Sequence, residues 1–198
     1  MPFEKEKRAF DRKGGVLRTG AALRAGIHPR TLYQMRDEGV LEQLDRGLYR
    51  LANLPALGNP DLVTVALRIP SGVVCLISAL AYHEITTQVP HEVHIALARG
   101  AEPPRLRHPP VKVYWFTGRA FTDGIETHKI DDVPVRVYSA EKTLADCFKY
   151  RNKLGLETVL EAVRLYRSRK RPKIDDLMKF ARVCRVEKVM RPYLEALL

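Results

Sequence analysis

One proline and two glycines set the length of two short helices near the beginning of the chain. Gly26 and Gly39 lack a Cβ atom, so each can adopt the left-handed backbone that commonly ends a helix. Pro29 suits the first turn of a helix, where its missing N–H has no intrahelical partner to lose. This spacing predicts one helix over residues 19–25 and a second over residues 29–38.

The second predicted helix has one apolar and one polar side. At about 100° per residue, Leu32 and Met35 share a side, and we expect that side to enter the core together with Ile27 from the preceding turn. The opposite side presents Arg30, Tyr33, Gln34 and Asp37. We therefore expect the polar side to face solvent, with Asp37 placed to orient Arg30.

The residues that follow the second helix predict an antiparallel hairpin. Residues 41–43 and 48–51 are short strand-like runs separated by a tip of Asp45, Arg46 and Gly47, and a glycine in such a tip favours a tight turn. Turn, exposed helix and hairpin follow one another as in a winged helix-turn-helix, whose second helix enters the major groove of DNA. The sequence therefore predicts a DNA-binding module; the alternative is a small helical hairpin that binds no DNA.

Residue chemistry assigns roles within this module. Arginine and glutamine can each form two hydrogen bonds with a guanine or adenine edge, so Arg30 and Gln34 are predicted to read bases. Arg36 lies at the edge of the buried side, where a structural role fits equally well. Phosphate contacts that fix the register complete the predicted DNA-contact set, which is Arg18, Arg30, Thr31, Tyr33, Gln34, Arg36 and Arg46.

The formal net charge of +11 predicts attraction to a polyanion such as DNA. The densest positive segment is residues 149–173, with nine basic and two acidic residues. A run of this kind is either a solvated helix face, an extra contact with the DNA backbone, or a surface for a partner protein or RNA. The candidate partner surface consists of Lys149, Arg151, Lys153, Arg167, Arg169, Lys170 and Arg171.

Two domains are expected, because residues 53–60 contain two prolines, a glycine and two asparagines, a composition typical of a linker. The winged helix-turn-helix would occupy residues 1–52 and a second domain residues 61–198. In the second domain, alternating patterns predict strands between about 93 and 138, and helical spacing predicts helices over 139–198. The predicted fold class is α+β, with a small β-sheet and a C-terminal helical cap.

Several protein classes are disfavoured. No apolar run approaches the roughly 18 to 20 residues that cross a bilayer, and the charged N-terminal segment is unlike a secretory signal, so we expect a cytoplasmic protein that does not contact membranes. Cys75, Cys147 and Cys184 are odd in number and widely separated, so we expect buried thiols. His83 and His91 lie on either side of a proline turn rather than one helical turn apart, so we expect neither a metal nor a cofactor.

Catalysis has weak support in the sequence. Asp123, Glu126, Asp131 and Asp132 are close together in the chain, but metal-dependent phosphate chemistry needs carboxylates that meet around a cation, and these lie around predicted turns. No glycine-rich phosphate loop is present, and no serine or cysteine lies in a nucleophile motif. We expect no enzyme activity and keep a nucleic-acid-modifying enzyme as the least favoured alternative.

Three blocks of sequence together resemble a known family. GIHPRTLYQMRDEGVLEQLDRGLYRL covers the predicted DNA-binding module, SALAYHEITTQVPHEVHIAL joins a helix to a strand through a proline turn, and VPVRVYSAEKTLADCFKYRNKLGLETVLEAVRLY passes from a strand into capped helices. With the ending RPYLEALL they cover most of the chain. This combination resembles the AbiEi-type antitoxins, the transcriptional regulators of type IV, or abortive-infection, toxin–antitoxin systems.

This resemblance implies a two-part antitoxin that takes part in phage defence. Its winged helix would repress its own operon by binding promoter inverted repeats, cooperatively and as a monomer or weak dimer, and its C-terminal domain would neutralise a nucleotidyltransferase toxin. The clearest departure is at Glu141 and Lys142, where relatives usually have an arginine before the Thr-Leu-x-Asp run. The alternative from another class is a ligand-sensing winged-helix transcription factor without a toxin partner.

Overall fold

The computed structural model describes residues 2–196, and within them the chain forms two compact units. The first unit contains the residues up to 68 together with 129–134, and the second contains 69–128 and the residues from 135 onward. Small sheets are combined with helices and the chain ends in helices, which confirms the α+β class. The linker at 53–60 stays a prediction, and residues 197 and 198 of the predicted helical cap lie outside the described residues.

The first unit combines a helix pair with a three-stranded sheet. Its elements are α1 (Glu4–Asp11), β1 (Val16–Arg18), α2 (Thr19–Arg24), α3 (Pro29–Asp37), β2 (Leu41–Asp45), β3 (Leu48–Leu51) and α4 (Pro60–Arg68). The two predicted helices each end one residue earlier than expected, and the first predicted strand of the hairpin extends to Asp45. The expected order of two helices followed by a hairpin is confirmed.

Glycines end α2 and α3 in the left-handed conformation. Gly26 has a φ of +86° and Gly39 a φ of +71°. Ile27 N donates to the Ala22 carbonyl at 3.0 Å, the long hydrogen bond of a Schellman motif, and the residue after Gly39 makes the equivalent bond. Ile27 is 3% exposed and packs in the core of the unit, as predicted.

The sheet of the first unit has the order β1-β3-β2, with both pairs antiparallel. The central strand, β3, is buried at all four positions. Strand β1 was not predicted, because three residues are too few to show an alternating pattern. It pairs with β3 from Val16 to Arg18 and leads directly into α2.

The rest of the chain contains five more strands and seven more helices among residues 2–196. They are β4 (Val73–Val74), α5 (Leu76–Tyr82), β5 (Val93–Ala98), β6 (Val111–Phe116), α6 (Arg119–Thr122), β7 (Ile125–Ile130), β8 (Val133–Tyr138), α7 (Ala140–Lys149), α8 (Arg151–Leu154), α9 (Leu156–Arg167), α10 (Ile174–Val183) and α11 (Glu187–Ala196). Residues 129–134, around the turn between β7 and β8, belong to the first unit.

These strands form a sheet with the order β6-β5-β4-β8-β7. Strand β4 lies in the middle, antiparallel to β5 and parallel to β8, and β5 is parallel to β6. The sequence did not predict β4, which is only two residues long. Asp131 and Asp132 form the turn between β7 and β8 with φ values of +47° and +63°, a backbone typical of a two-residue hairpin turn.

Helix α7 is the centre of the second unit and packs against α5, α9, α10 and α11. Its buried residues surround the helix rather than forming one stripe, as expected for a helix enclosed by others. Ser139 Oγ accepts a hydrogen bond from Lys142 N at 3.2 Å and so caps the start of α7.

The three cysteines are buried and free, as predicted. Burial raises the pKa of the Cys75 and Cys147 thiols well above the ordinary value, which keeps them protonated. Among the described helices, none is both long and apolar enough to cross a membrane.

Candidate nucleic-acid interface

Helix α3 presents its polar side to solvent. Leu32 and Met35 are fully buried, whereas Arg30 and Gln34 are exposed and Tyr33 is 45% exposed. The solvent side therefore offers a guanidinium, a phenol and an amide, groups that form hydrogen bonds with bases and phosphates. The predicted division of this helix into two sides is confirmed.

Two acidic residues at the end of α3 accept hydrogen bonds from polar side chains of the same helix. Gln34 Nε2 donates to Glu38 Oε1 at 2.8 Å. Arg36 Nε and Nη2 donate to Asp37 Oδ1 at 2.8 and 2.7 Å, and this hydrogen bond raises the pKa of Arg36. The expectation that Asp37 orients Arg30 is therefore wrong, because the neighbouring arginine takes its carboxylate.

Arg30 keeps its guanidinium available. Within residues 2–196 its side chain forms neither an ion pair nor a hydrogen bond, and its backbone N–H donates to His28 Nδ1 at 3.2 Å. His28 thus caps α3 ahead of Pro29. The sequence did not indicate this cap, because histidine is not among the residues that commonly take the position.

The hairpin of β2 and β3 carries Arg46 at its exposed tip. Thr19 N donates to the Gly47 carbonyl at 2.9 Å. From α4, Arg68 Nη1 donates to the Arg46 carbonyl at 3.1 Å, and Arg68 Nε lies 3.1 Å from Asp45 Oδ2. The start of α2 and the end of α4 therefore both hold the tip. Arg68 was missed, because no local pattern links residues so far apart in the chain.

Arg18 is half-buried beside the tip of the same hairpin, where it pairs in register with Leu48. Its Nη2 is buried and forms no hydrogen bond within residues 2–196. Burial, and then the nearby Arg68 cation, lower the pKa of Arg18. A phosphate would relieve both effects, since an anion stabilises the charged guanidinium. Thr31, another residue of the predicted DNA-contact set, is half-buried on α3.

Arg50 is a second arginine that sequence reasoning missed. It is 5% exposed, and its Nη1 lies 2.6 Å from Glu42 Oε1, the residue opposite it across β2 and β3. Its other terminal nitrogen donates to the Pro55 carbonyl. Arg50 therefore stabilises the hairpin from inside, and the cross-strand pairing of opposite charges is the signal that could have found it.

The predicted basic surface of the second unit is divided among separate roles. Arg151 Nη1 donates to the Phe148 carbonyl at 3.0 Å, and Arg169 donates to the His83 carbonyl, so both side chains support the fold. Lys153 Nζ lies 5.9 Å from the centre of the ring of its neighbour Tyr150. The other members are exposed or half-buried: Lys149, Arg167, Lys170 and Arg171.

The four carboxylates considered for catalysis are engaged separately. Asp123 pairs with Arg119, Glu126 with His128, Asp131 with the Gly58 N–H and Asp132 with Lys129. In the part of the chain that the structure describes, no group of three or more His, Cys, Asp or Glu side chains could hold a metal ion. The carboxylates therefore do not meet around a common point there.

An exposed polar helix before a hairpin with a basic tip is an arrangement typical of proteins that regulate transcription by binding DNA. Comparison with known protein families indicates which kind of transcriptional regulator this part of the chain resembles. Residues 4–52 match the family model described as "Transcriptional regulator, AbiEi antitoxin". The resemblance inferred from the sequence is thereby confirmed for this part of the chain, and the match supports a DNA-binding antitoxin in general.

The matched family is regulatory rather than enzymatic, and its description implies DNA and a toxin as partners in general. Among solved structures, the RV2827C protein from Mycobacterium tuberculosis is similar, with a TM-score of 0.53 and 13% identity over 98% of this chain and 80% of that chain. At this identity the likeness concerns the fold alone. No curated protein sequence matches the chain.

Proposed function

We propose that this protein is a DNA-binding antitoxin that represses its own operon. Residues 1–52 act as a winged helix-turn-helix, and residues from 61 onward neutralise a toxin. The observation that carries the proposal is the guanidinium of Arg30, which has no partner within residues 2–196 and is exposed beside Gln34 on a helix whose other side is buried. As a repressor, the protein works in the cytoplasm, where its operon lies.

Helix α3 enters the major groove in this proposal, since a helix is the element that the groove admits. Arg30 and Gln34 read base edges, and Tyr33 and Thr31 set the register on phosphates. At the sides of the helix, Arg46 reaches phosphate or the neighbouring minor groove from the hairpin tip, and Arg18 contacts the backbone. Arg36, hydrogen-bonded to Asp37, lies at the edge of the DNA interface.

Binding of the full-length protein to its own upstream promoter tests this role, with a scrambled duplex as the control DNA. Arg30→Ala should cost about 1–3 kcal/mol on the promoter and relax the preference at one base pair. Arg8→Ala, an exposed arginine on α1, is the matched control and should leave the preference intact. Equal weakening by Arg30→Ala on all sequences would reduce Arg30 to a phosphate contact, and failure of the wild type to bind the promoter at low salt would overturn the proposal.

Two copies bind the inverted repeats of the promoter in this proposal, as monomers or a weak dimer that cooperates on DNA. The half-buried Arg167 and the exposed Lys170 and Arg171 lengthen the footprint along the backbone. Replacing these three by glutamine should lower the slope of log affinity against log salt by about one for each phosphate that the protein no longer neutralises. An unchanged slope would remove them from the DNA interface.

The toxin in this proposal is a nucleotidyltransferase encoded by a neighbouring gene. Co-expression of that gene with the full-length protein should restore growth that the toxin alone arrests. The variant Arg30→Ala/Arg46→Ala should still restore growth from a constitutive promoter, since it changes only the proposed DNA contacts. Loss of rescue in this variant would tie antitoxicity to repression, and no rescue by the wild type would exclude the antitoxin role.

A further inference from the structure

A cavity of about 580 Å³ opens in the second unit beside the ends of α7 and α10. Its wall includes Arg119 at the start of α6 with Thr117 just before it, Lys149 at the end of α7, and Val183 at the end of α10 with Arg185 just after it. Three separate elements therefore each contribute a cation to one concave surface.

The charges of this cavity are unbalanced. Lys149 and Arg185 are exposed, and within residues 2–196 their side chains form no ion pair and no hydrogen bond. Arg119 lies 2.9 Å from Asp123, but no acidic residue lines the cavity. A cation near a helix C-terminus is favoured by the helix dipole, which accounts for one cation at each helix end but not for the third cation from α6. Two of the three cations, Lys149 and Arg185, therefore have no fixed anion within residues 2–196, and uncompensated cations gathered at one concave surface are typical of an anion site.

The backbone at Arg185 gives a second argument. Its φ is +60°, and Val186 N donates to the Ala181 carbonyl at 2.8 Å, so Arg185 occupies the left-handed position of a Schellman motif. Glycine is the favoured residue there, and α2 and α3 have Gly26 and Gly39 at the same position. Arg185 adopts this unfavourable backbone, as Glu84 does after α5, and its guanidinium belongs to the wall of the cavity.

The size and wall of the cavity define the class of ligand. Its volume falls in the range of about 300–1,000 Å³ of small-molecule sites and exceeds what one phosphate ion needs. Guanidinium and ammonium groups are the main protein ligands of phosphate, and the Thr117 hydroxyl adds a donor. Val183 and Ala120 supply an apolar wall for an organic group. We propose that this cavity binds the phosphate groups of a nucleotide, either free or at the end of a nucleic-acid strand.

Calorimetric titration of the full-length protein tests this site. The probes are the four ribonucleoside triphosphates, inorganic phosphate, and a 12-nucleotide single-stranded RNA. Saturable binding of a triphosphate identifies a free nucleotide, and binding of the RNA without the triphosphates identifies a strand. Binding of inorganic phosphate only, or of no probe at low salt, would overturn the proposal.

Two variants separate the site from the fold. Arg185→Gly removes a cation and places glycine where the backbone favours it, so binding should weaken about tenfold or more while the melting temperature does not fall. Lys149→Gln should weaken binding similarly. Arg164→Gln, an exposed arginine on α9 outside the cavity, is the matched control, and equal weakening by this control would refute a defined site.

Promoter binding of the same variants keeps this inference distinct from the proposed repressor. If Arg185→Gly binds promoter DNA normally and no longer binds the nucleotide, the cavity is a separate site. If it fails to bind promoter DNA and no probe binds the wild type, the cavity belongs to the DNA interface and the nucleotide site is refuted.

Discussion

Lys142 Nζ lies 2.5 Å from Asp146 Oδ2 inside the second unit, where the two side chains are 0% and 1% exposed. The ammonium also lies 4.2 Å from the centre of the Tyr138 ring, and Cys184 Sγ donates to the other carboxylate oxygen at 3.1 Å. Burial raises the pKa of Asp146. Lys142 is therefore a core residue that places a cation opposite the buried aspartate.

Removing one charge of this pair should be strongly destabilising. Asp146→Asn leaves the Lys142 cation buried without a counter-charge, and we expect the free energy of unfolding to fall by about 3–5 kcal/mol. Urea denaturation followed by circular dichroism measures this change. Asp175→Asn, at an exposed site on α10, is the matched control and should stay within about 0.5 kcal/mol of wild type. Similar effects of the two variants would contradict the structural role of the pair.

Arg68 should influence DNA affinity without touching DNA. It holds the hairpin tip through the Arg46 carbonyl and the Asp45 carboxylate, so Arg68→Ala should release the tip and weaken promoter binding by about tenfold, the size of a charged hydrogen bond. The salt slope should hardly change, because the protein still neutralises the same number of phosphates. Titrations at several salt concentrations measure both quantities. If the slope falls by one, Arg68 itself contacts a phosphate.

Glu38 should oppose DNA binding by its charge. Its carboxylate accepts from Gln34 on the exposed side of α3, where DNA phosphates would repel it. Glu38→Gln keeps an acceptor for Gln34 and removes the charge, so affinity should rise about two- to fivefold at low salt and converge on wild type at high salt, because salt screens exposed charges. Glu157→Gln, exposed on α9, serves as the control, and a gain that persists at high salt would point to a different cause.

His94 should make folding stability depend on pH. It is 7% exposed, and its Nδ1 is buried without a hydrogen bond in the described chain. Burial lowers the pKa of His94 below its ordinary value of 6.5, although Glu92 opposes this and Lys112 adds to it. The unfolded chain then takes up a proton near pH 6.5 before the folded chain does. Stability from this group is therefore complete above about pH 6.5 and declines as the pH falls toward the folded pKa.

Unfolding free energies measured between pH 7.5 and 5 check this dependence. His94→Gln should flatten the decline, whereas His91→Gln, at an exposed position, should leave it in place. A decline that is the same in the wild type and in His94→Gln would assign the effect to other groups.

Local signals predicted α2, α3 and the hairpin of the first unit. Gly26, Pro29 and Gly39 each favour a particular backbone conformation regardless of tertiary contacts. The ends of α2 and α3 can therefore be predicted without knowing how these helices pack. The side-chain pattern of α3 likewise depends only on helical periodicity. The predicted DNA-contact residues follow from the same local pattern, and their contacts with DNA stay a prediction.

Contacts between distant residues could not be predicted from such patterns. Arg68 and the hairpin tip meet only after the chain folds, and the short strands β1 and β4 exist because neighbouring strands pair with them. The Lys142 and Asp146 pair was accessible in principle, since residues four apart share a helix face. Its complete burial was not, because charged residues usually remain at the surface.

The turn between β7 and β8 has a practical consequence for genetics. Asp131 accepts a hydrogen bond from Gly58 N at 2.9 Å, and a Cβ added to Gly14 would lie 2.7 Å from the Cβ of Asp132. The first unit therefore includes residues 129–134, which come much later in the chain than the rest of it. A truncation that keeps only residues 1–68 removes residues 129–134 from the first unit. A truncated protein would therefore lose the function of the deleted residues and also the stability of the first unit, and the two effects could not be told apart. Point substitutions in the intact chain avoid this problem.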